Sequence, residues 1–416
     1  MVFISDIQRL YSDRAGKMRK SVIRELLKVT QDPEIISFAG GLPNPKSFPI
    51  KDIEGVMDSV LDNHGKSALQ YGTTQGLDSL REQITERVSK DGIHTEPDNI
   101  IITSGSQQAL DTVGKLFLNP GDTALCGLPT YLGGINAFRS YESYLKGIPL
   151  DQDGMKVDAL EDTIKDMIKD EVIPKFIYVV PTFQNPAGVV MPESRRKKLI
   201  DMANDYDLVI IEDDPYSKLS YDIPHIKPLK AFDDEGRVIY ISTFSKILSP
   251  GFRLAWTIAS PELTRKIVIC KQALDLCTNT FTQYIASEFI RRGSLDLHIA
   301  KICEMYKPKR DLMMKAMNKY FPQGYECNKP QGGMFAWVTL PEGIDTEVMF
   351  LDAIKEKVAY VHGKAFHVDG GGERSMRLNF SYSTDEQLDE GMKRLGNVIN
   401  AKLENQKKNL IICNEA

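Results

Sequence analysis

The stretch STFSKILSPGFR, residues 242–253, brings the hydroxyls of Ser242, Thr243 and Ser245, the amine of Lys246 and the guanidinium of Arg253 into one turn region. It follows the apolar run VIYI (238–241). A lysine amine titrates near about 10.4, and burial beside other cations lowers that value until the amine is a nucleophile near neutral pH. Three more polar clusters follow apolar runs: SGSQQALD after NIIIT (99–103), PTFQNPAG after FIYVV (176–180) and DDPYSKL after LVIIE (208–212). Taken singly, a Ser-Gly turn reads as a helix cap, Asn-Pro as a turn and a carboxylate pair as a solvated strand end. Four successive runs that all empty into different polar chemistry are less ordinary than any one of them.

The runs themselves, together with LAWTIA (254–259), are apolar throughout rather than alternating, as expected of strands buried on both faces. Segments of helical periodicity separate them, which predicts an α/β fold with a mostly parallel sheet. In such sheets ligands collect at the carboxyl ends of the strands. The chain has 416 residues, enough for two or three structural units and for a core that can hide a lysine. Its 52 basic and 57 acidic residues leave a net charge of −5, and without a long basic run neither nucleic acid nor an anionic membrane is an expected partner. The N-terminus has no apolar h-region and no run approaches a membrane span, so a cytoplasmic protein is expected. The six cysteines lack zinc spacing, so they are expected to be reduced packing residues, with no metal site.

Order and spacing of Asn185 in QNPAG, Asp213 and Tyr216 in DDPY, Lys246 in TFSK, Arg253 and Arg377 in SMRLNFS resemble the fold-type I pyridoxal-phosphate enzymes, the aspartate aminotransferase superfamily (class I/II). The resemblance runs from about residue 20 to the C-terminus. SVIRELLKV, ISFAGGLPNPKSFP, LQYGTTQGLDSLRE, TSGSQQALD and GGMFAWV look most like the branch of 2-aminoadipate and kynurenine/aminoadipate aminotransferases. It implies a homodimeric aminotransferase that carries pyridoxal 5′-phosphate and works by a ping-pong exchange, with 2-oxoglutarate as the expected acceptor. Donors would include 2-aminoadipate and glutamate, with aromatic and branched-chain amino acids as alternatives and lysine biosynthesis as one setting.

By the same resemblance Lys246 anchors the cofactor and carries the proton. Asp213 keeps the ring nitrogen protonated; Asp214 is its rival on sequence alone, and the D-x-x-Y spacing to Tyr216 selects Asp213. Tyr216 and Asn185 meet the cofactor's 3-oxygen, and Tyr131 in LPTYLGG stacks on its ring. The phosphate falls to Ser106 and Gln107 at a helix N-terminus, to Thr243, Ser245 and Arg253, and to Tyr71 across the dimer interface. Arg377 binds the substrate α-carboxylate, Arg24 in SVIRELLKV meets the distal carboxylate of acidic donors, and Gly40 and Gly41 let backbone approach the substrate. Close relatives often have serine at the position of Thr243 and proline at that of His362, which is expected to be a loop residue. The implied architecture is a large cofactor-binding domain (46–300) with a mostly parallel seven-stranded-type sheet between helices. A smaller α/β domain comes from 301–416 and the N-terminal segment 1–45. Two other readings compete: a β-lyase or decarboxylase on the same cofactor, and the cofactor-sensing half of a transcription regulator, for which the short N-terminal stretch leaves little room.

Overall fold

The computed structural model describes residues 7–18 and 32–414, with side chains as far as residue 406; Arg24 and its segment lie outside the described residues. A two-residue strand β1 (Ile36–Ser37) comes first. The main sheet is built from β2 (Ile100–Thr103), β3 (Thr123–Leu128), β4 (Tyr144–Asp151), β5 (Gly154–Met155), β6 (Phe176–Val179), β7 (Val209–Asp213), β8 (Val238–Thr243) and β9 (Ala255–Ile258). Their spatial order is β2-β9-β8-β7-β6-β3-β4-β5. The pairs from β8 through β7, β6 and β3 to β4 are parallel, and β9 runs antiparallel between β2 and β8. Seven of these strands form the expected sheet; β5 adds a short eighth by folding back on β4, with Leu150 opposite Met155.

Every residue of β2, β6, β8 and β9 is buried, which is why those runs carry no polar alternation. Successive side chains go to opposite faces. Phe176, Tyr178, Ile211 and Ile239 enter one core with Leu110 and Phe138, while Ile177, Val179, Ile210 and Val238 enter another with Leu160 and Leu199.

Beyond the main sheet, β10 (Glu326–Cys327), β11 (Phe335–Thr339), β13 (Val361–His362) and β14 (Ser375–Asn379) make an antiparallel sheet in the order β10-β11-β14-β13. β12 (Val358–Ala359) pairs in parallel with β1, Ile36 opposite Val358, so the N-terminal segment is stitched to the C-terminal region. The helices Ser294–Tyr320 and Asp385–Asn414 flank this part, and the expected boundary at residue 300 falls inside the first of them. His362 differs from expectation. It sits in β13 opposite Met376, buried, with Nδ1 lacking a partner among the described residues, and burial lowers its pKa. No helix among the described residues is long and apolar enough to cross a membrane.

Candidate functional site

The parallel strands deliver their polar clusters to one edge of the sheet. After β2 come Ser104–Ser106, after β3 Tyr131, after β6 Asn185, after β7 Tyr216 and after β8 Ser245 and Lys246. Because β9 is antiparallel, it begins at that same edge, which places Arg253 there two residues before Ala255.

Three carboxylates stand in a row at the end of β7, each with a different fate. Glu212 accepts the backbone N–H groups of Leu229 (2.8 Å) and Lys230 (2.9 Å). Asp214 accepts the Tyr240 hydroxyl at 2.9 Å and the Ser217 N–H at 3.1 Å. Asp213 accepts the Tyr178 hydroxyl on Oδ2 at 2.8 Å, and its Oδ1 is buried with no partner among the described residues. Burial pushes the Asp213 carboxyl up to about 7, with Tyr178 opposing the shift and Asp214 adding to it. Lys246 donates from Nζ to the carbonyl of Gly41 at 2.8 Å. Burial first, then the charges of Arg377 and Arg253, bring its amine down to about 8.

Arg377 is 1% exposed and lies across from the lysine. It donates to Asn185 Oδ1 at 2.9 Å and to the Ala39 carbonyl at 2.7 Å, while Nε is buried without a partner among the described residues. Its guanidinium rests 4.2 Å from the ring centre of Phe335 and 5.1 Å from that of Phe366. Asn185 donates to the Tyr216 hydroxyl at 3.3 Å. Residues 39–41 therefore touch both cations, Ala39 meeting Arg377 and Gly41 meeting Lys246, with Gly40 between them. A Cβ on Gly41 would lie 3.4 Å from the Phe335 ring.

On the other side, the helix Ser106–Phe117 opens without a side-chain cap among the described residues; the Gln108 N–H donates to the Gly105 carbonyl at 3.1 Å, and the end of the helix is left to the N–H groups of Ser106 and Gln107 as an anion site. Gly105 precedes it at φ 80°, and a Cβ there would fall 2.3 Å from Arg253 Nη2. Ser106 Oγ is buried with no partner among the described residues. Gln107 is exposed and donates to the Gly133 carbonyl at 3.0 Å. Thr243 Oγ1 accepts the Ser245 N–H at 3.1 Å and lies 3.0 Å from both Ser245 Oγ and the Leu254 carbonyl. Its single proton has acceptors inside the turn, so it shapes the turn and leaves Ser245 as the hydroxyl that can donate outward. Tyr131 is half-buried, and a Cβ on Gly133 would lie 2.4 Å from its ring. Tyr71 is 79% exposed, and among the described residues no hydrogen bond or ring contact ties its side chain to this cluster.

The residues missed by the sequence reading are Tyr178, Gly133, Gly134, Ala39, Phe335 and Phe366. Only Tyr178 left a signal, a lone hydroxyl in an otherwise apolar strand that must find a partner when buried. Pyridoxal phosphate fits what is present. Asp213 offers its ring nitrogen a bare carboxylate oxygen; Ser106, Ser245, Arg253 and a helix N-terminus offer its phosphate donors and positive charge; and Lys246 offers its aldehyde an amine.

A family model described as aminotransferase class I and II matches residues 43–395. The chain is 48% identical over 399 residues to aromatic-amino-acid aminotransferase 1 of Thermococcus litoralis, covering 96% of each. It is 38% identical to the 2-aminoadipate transaminase of Thermus thermophilus over 392 residues, covering 94% of this chain and 96% of that one. The crystal structure of Pyrococcus horikoshii kynurenine aminotransferase superposes with a TM-score of 0.93 at 48% identity, over 96% of this chain and 99% of that one.

Proposed function

The chain belongs to the aminotransferase class I and II family and binds pyridoxal 5′-phosphate, and from that premise we propose an L-amino acid:2-oxoacid aminotransferase of broad donor range. The observation that carries the reading is one strand edge that combines an amine brought down to about 8, a buried carboxylate with one unpartnered oxygen and a buried guanidinium.

Bound pyridoxal phosphate supplies an electron sink that makes the α-proton of an amino acid removable. Lys246, with an amine brought down to about 8, would take that proton from the α-carbon and deliver it to C4′ of the cofactor. Asp213 holds a proton on the ring nitrogen through Oδ1, and Asn185 and Tyr216 meet the ring oxygen. Arg377 offers its planar fork to the substrate α-carboxylate, and Ser106, Ser245, Arg253 and the helix N-terminus hold the phosphate. Gln107 caps the helix side of that cradle, and Tyr131 faces the ring.

Similarity to proteins named for aromatic amino acids, 2-aminoadipate and kynurenine supports 2-aminoadipate and aromatic amino acids as donors, and the proposed set extends to glutamate and branched-chain amino acids. 2-Oxoglutarate is the acceptor in a two-stage exchange, Arg24 meets the distal carboxylate of acidic donors, and a place in lysine biosynthesis follows from the aminoadipate reaction. The working unit is a cytoplasmic homodimer in which Tyr71 reaches the partner's phosphate site. The chain divides near residues 45 and 300 into a cofactor-binding domain and a smaller one built from both ends.

The visible absorption of the purified protein tests this reading. The cofactor band should bleach with 2-aminoadipate and return with 2-oxoglutarate. Recovery without any 2-oxoacid, or pyruvate or carbon dioxide released from the donor, replaces transamination with lyase or decarboxylase chemistry.

A further inference from the structure

Tyr178 on β6 stands opposite Ile211 on β7, so Asp213, two residues further along β7, is its diagonal neighbour on the same face of the sheet. The tyrosine side chain spans that diagonal, and its hydroxyl reaches Oδ2 of Asp213 at 2.8 Å. The ring has a prepared seat. It packs edge-on to Phe138 with centroids 5.3 Å apart, and a Cβ on Gly134 would lie 2.9 Å from Tyr178 Cε1. Gly134 and Phe138 are one turn apart on the helix Leu132–Arg139, whose Gly133 also makes room for Tyr131. One helical turn thus places both rings beside Asp213.

We propose that Tyr178 is a positioning residue for the cofactor's ring nitrogen: its hydroxyl clamps Oδ2 of Asp213 so that Oδ1 alone is presented, and Gly134 keeps the seat in which it does so. This rests on the assignment of Asp213 to the ring nitrogen. The titratable neighbours are Asp214, Tyr131 and Tyr216. Burial and the Asp213 charge push the Tyr178 hydroxyl well above its ordinary value, so it remains a donor at working pH. A donor committed to one carboxylate oxygen stabilises the charged carboxylate, which keeps the shared proton on the nitrogen. Losing that donor moves the proton toward the carboxylate by roughly ten- to hundredfold in its distribution, the effect of one hydrogen bond to a charged group.

The test is the nitrogen NMR resonance of ring-¹⁵N pyridoxal phosphate bound to the full chain, at one fixed pH. Relative to the native protein, Tyr178→Phe should move the resonance from the protonated toward the unprotonated position and lower kcat with little change in KM. An unmoved resonance in a folded, cofactor-loaded Tyr178→Phe protein overturns the proposal. Should that variant fail to fold, Gly134→Ala decides by the same resonance, since it displaces the ring while keeping the hydroxyl; a shift supports the clamp and no shift rejects it. A native protein whose bound ring nitrogen already lacks the proton removes the Asp213 assignment, and this proposal with it.

Discussion

Two arginines were assigned to the two ends of an acidic substrate, and they should fail differently. Arg377 is buried between Phe335 and Phe366, with its fork held by Asn185 and Ala39. A lysine there keeps a charge but loses the paired donors, and one hydrogen bond to a charged group is worth about 1.5–3 kcal/mol. Arg377→Lys should therefore lower kcat/KM by roughly ten- to hundredfold for every amino acid alike. Arg24→Ala should lower it for 2-aminoadipate and glutamate and spare phenylalanine and leucine; a steady-state donor panel reads both, and equal losses across the panel remove Arg24 from the substrate. Motif spacing could name Asp213 over Asp214, but only the structure gives the physical reason. Asp214 spends both its oxygens on Tyr240 and Ser217, while Asp213 keeps one back. The same accounting gives Thr243 Oγ1 acceptors inside its own turn, Ser245 Oγ and the Leu254 carbonyl, and no motif reveals where a hydroxyl proton points.

Element by element, the phosphate cradle depends on a glycine. Gly105 holds φ 80° and ψ 163°, a conformation that costs other residues about 1–3 kcal/mol, and any Cβ would strike Arg253. Gly105→Ala should weaken both the fold and cofactor affinity. Gly121→Ala, at φ 87° with nothing within 4 Å, should cost stability and leave affinity intact. Thermal midpoints and equilibrium dialysis with pyridoxal phosphate separate the two, and equal affinity losses would mean that Gly105 acts only through stability. β2, β6, β7, β8 and β9, which deliver most of the site, were legible because they are buried and carry unbroken apolar runs. β3 and β4 were not: TALCGL and YLKGIPLD contain Gly127, Gly147 and Pro149, poor strand formers. Packing decides there. A Cβ on Gly147 would lie 2.9 Å from Leu128 Cδ1, so the glycine is what lets the neighbouring strand's side chain settle.

At the scale of the whole molecule, the site is built against the stability of the cofactor-free chain. The Asp213 carboxyl is raised from 3.8 to about 7, so the native state binds the extra proton between those values and stability falls as pH rises through that window. Lys246 is lowered from 10.5 to about 8, so its penalty is full below about 8 and is relieved as pH rises toward 10.5. Cofactor-free Asp213→Asn should thus be more stable than the native apoprotein at pH 8, by on the order of 4 kcal/mol, and no more stable at pH 4. Urea midpoints at the two pH values check this, and a gain of the same size at both would point to packing rather than charge. Tyr71 raises a question for more than one chain: it is 79% exposed, and the proposed dimer would have it serve the phosphate in its partner's site. That proposed role comes from the resemblance alone, since no periodicity or spacing in a sequence encodes what a second chain brings. Shared sites make a definite prediction. Lys246→Ala and Tyr71→Ala are each expected to be nearly inactive, and in a hybrid dimer of the two, one site has both native residues while the other has neither. Random mixing makes half the dimers hybrid, so activity should recover to about a quarter of the native level. If Tyr71 served its own chain's site, no hybrid would hold a complete one, and refolding the two variants together would restore nothing.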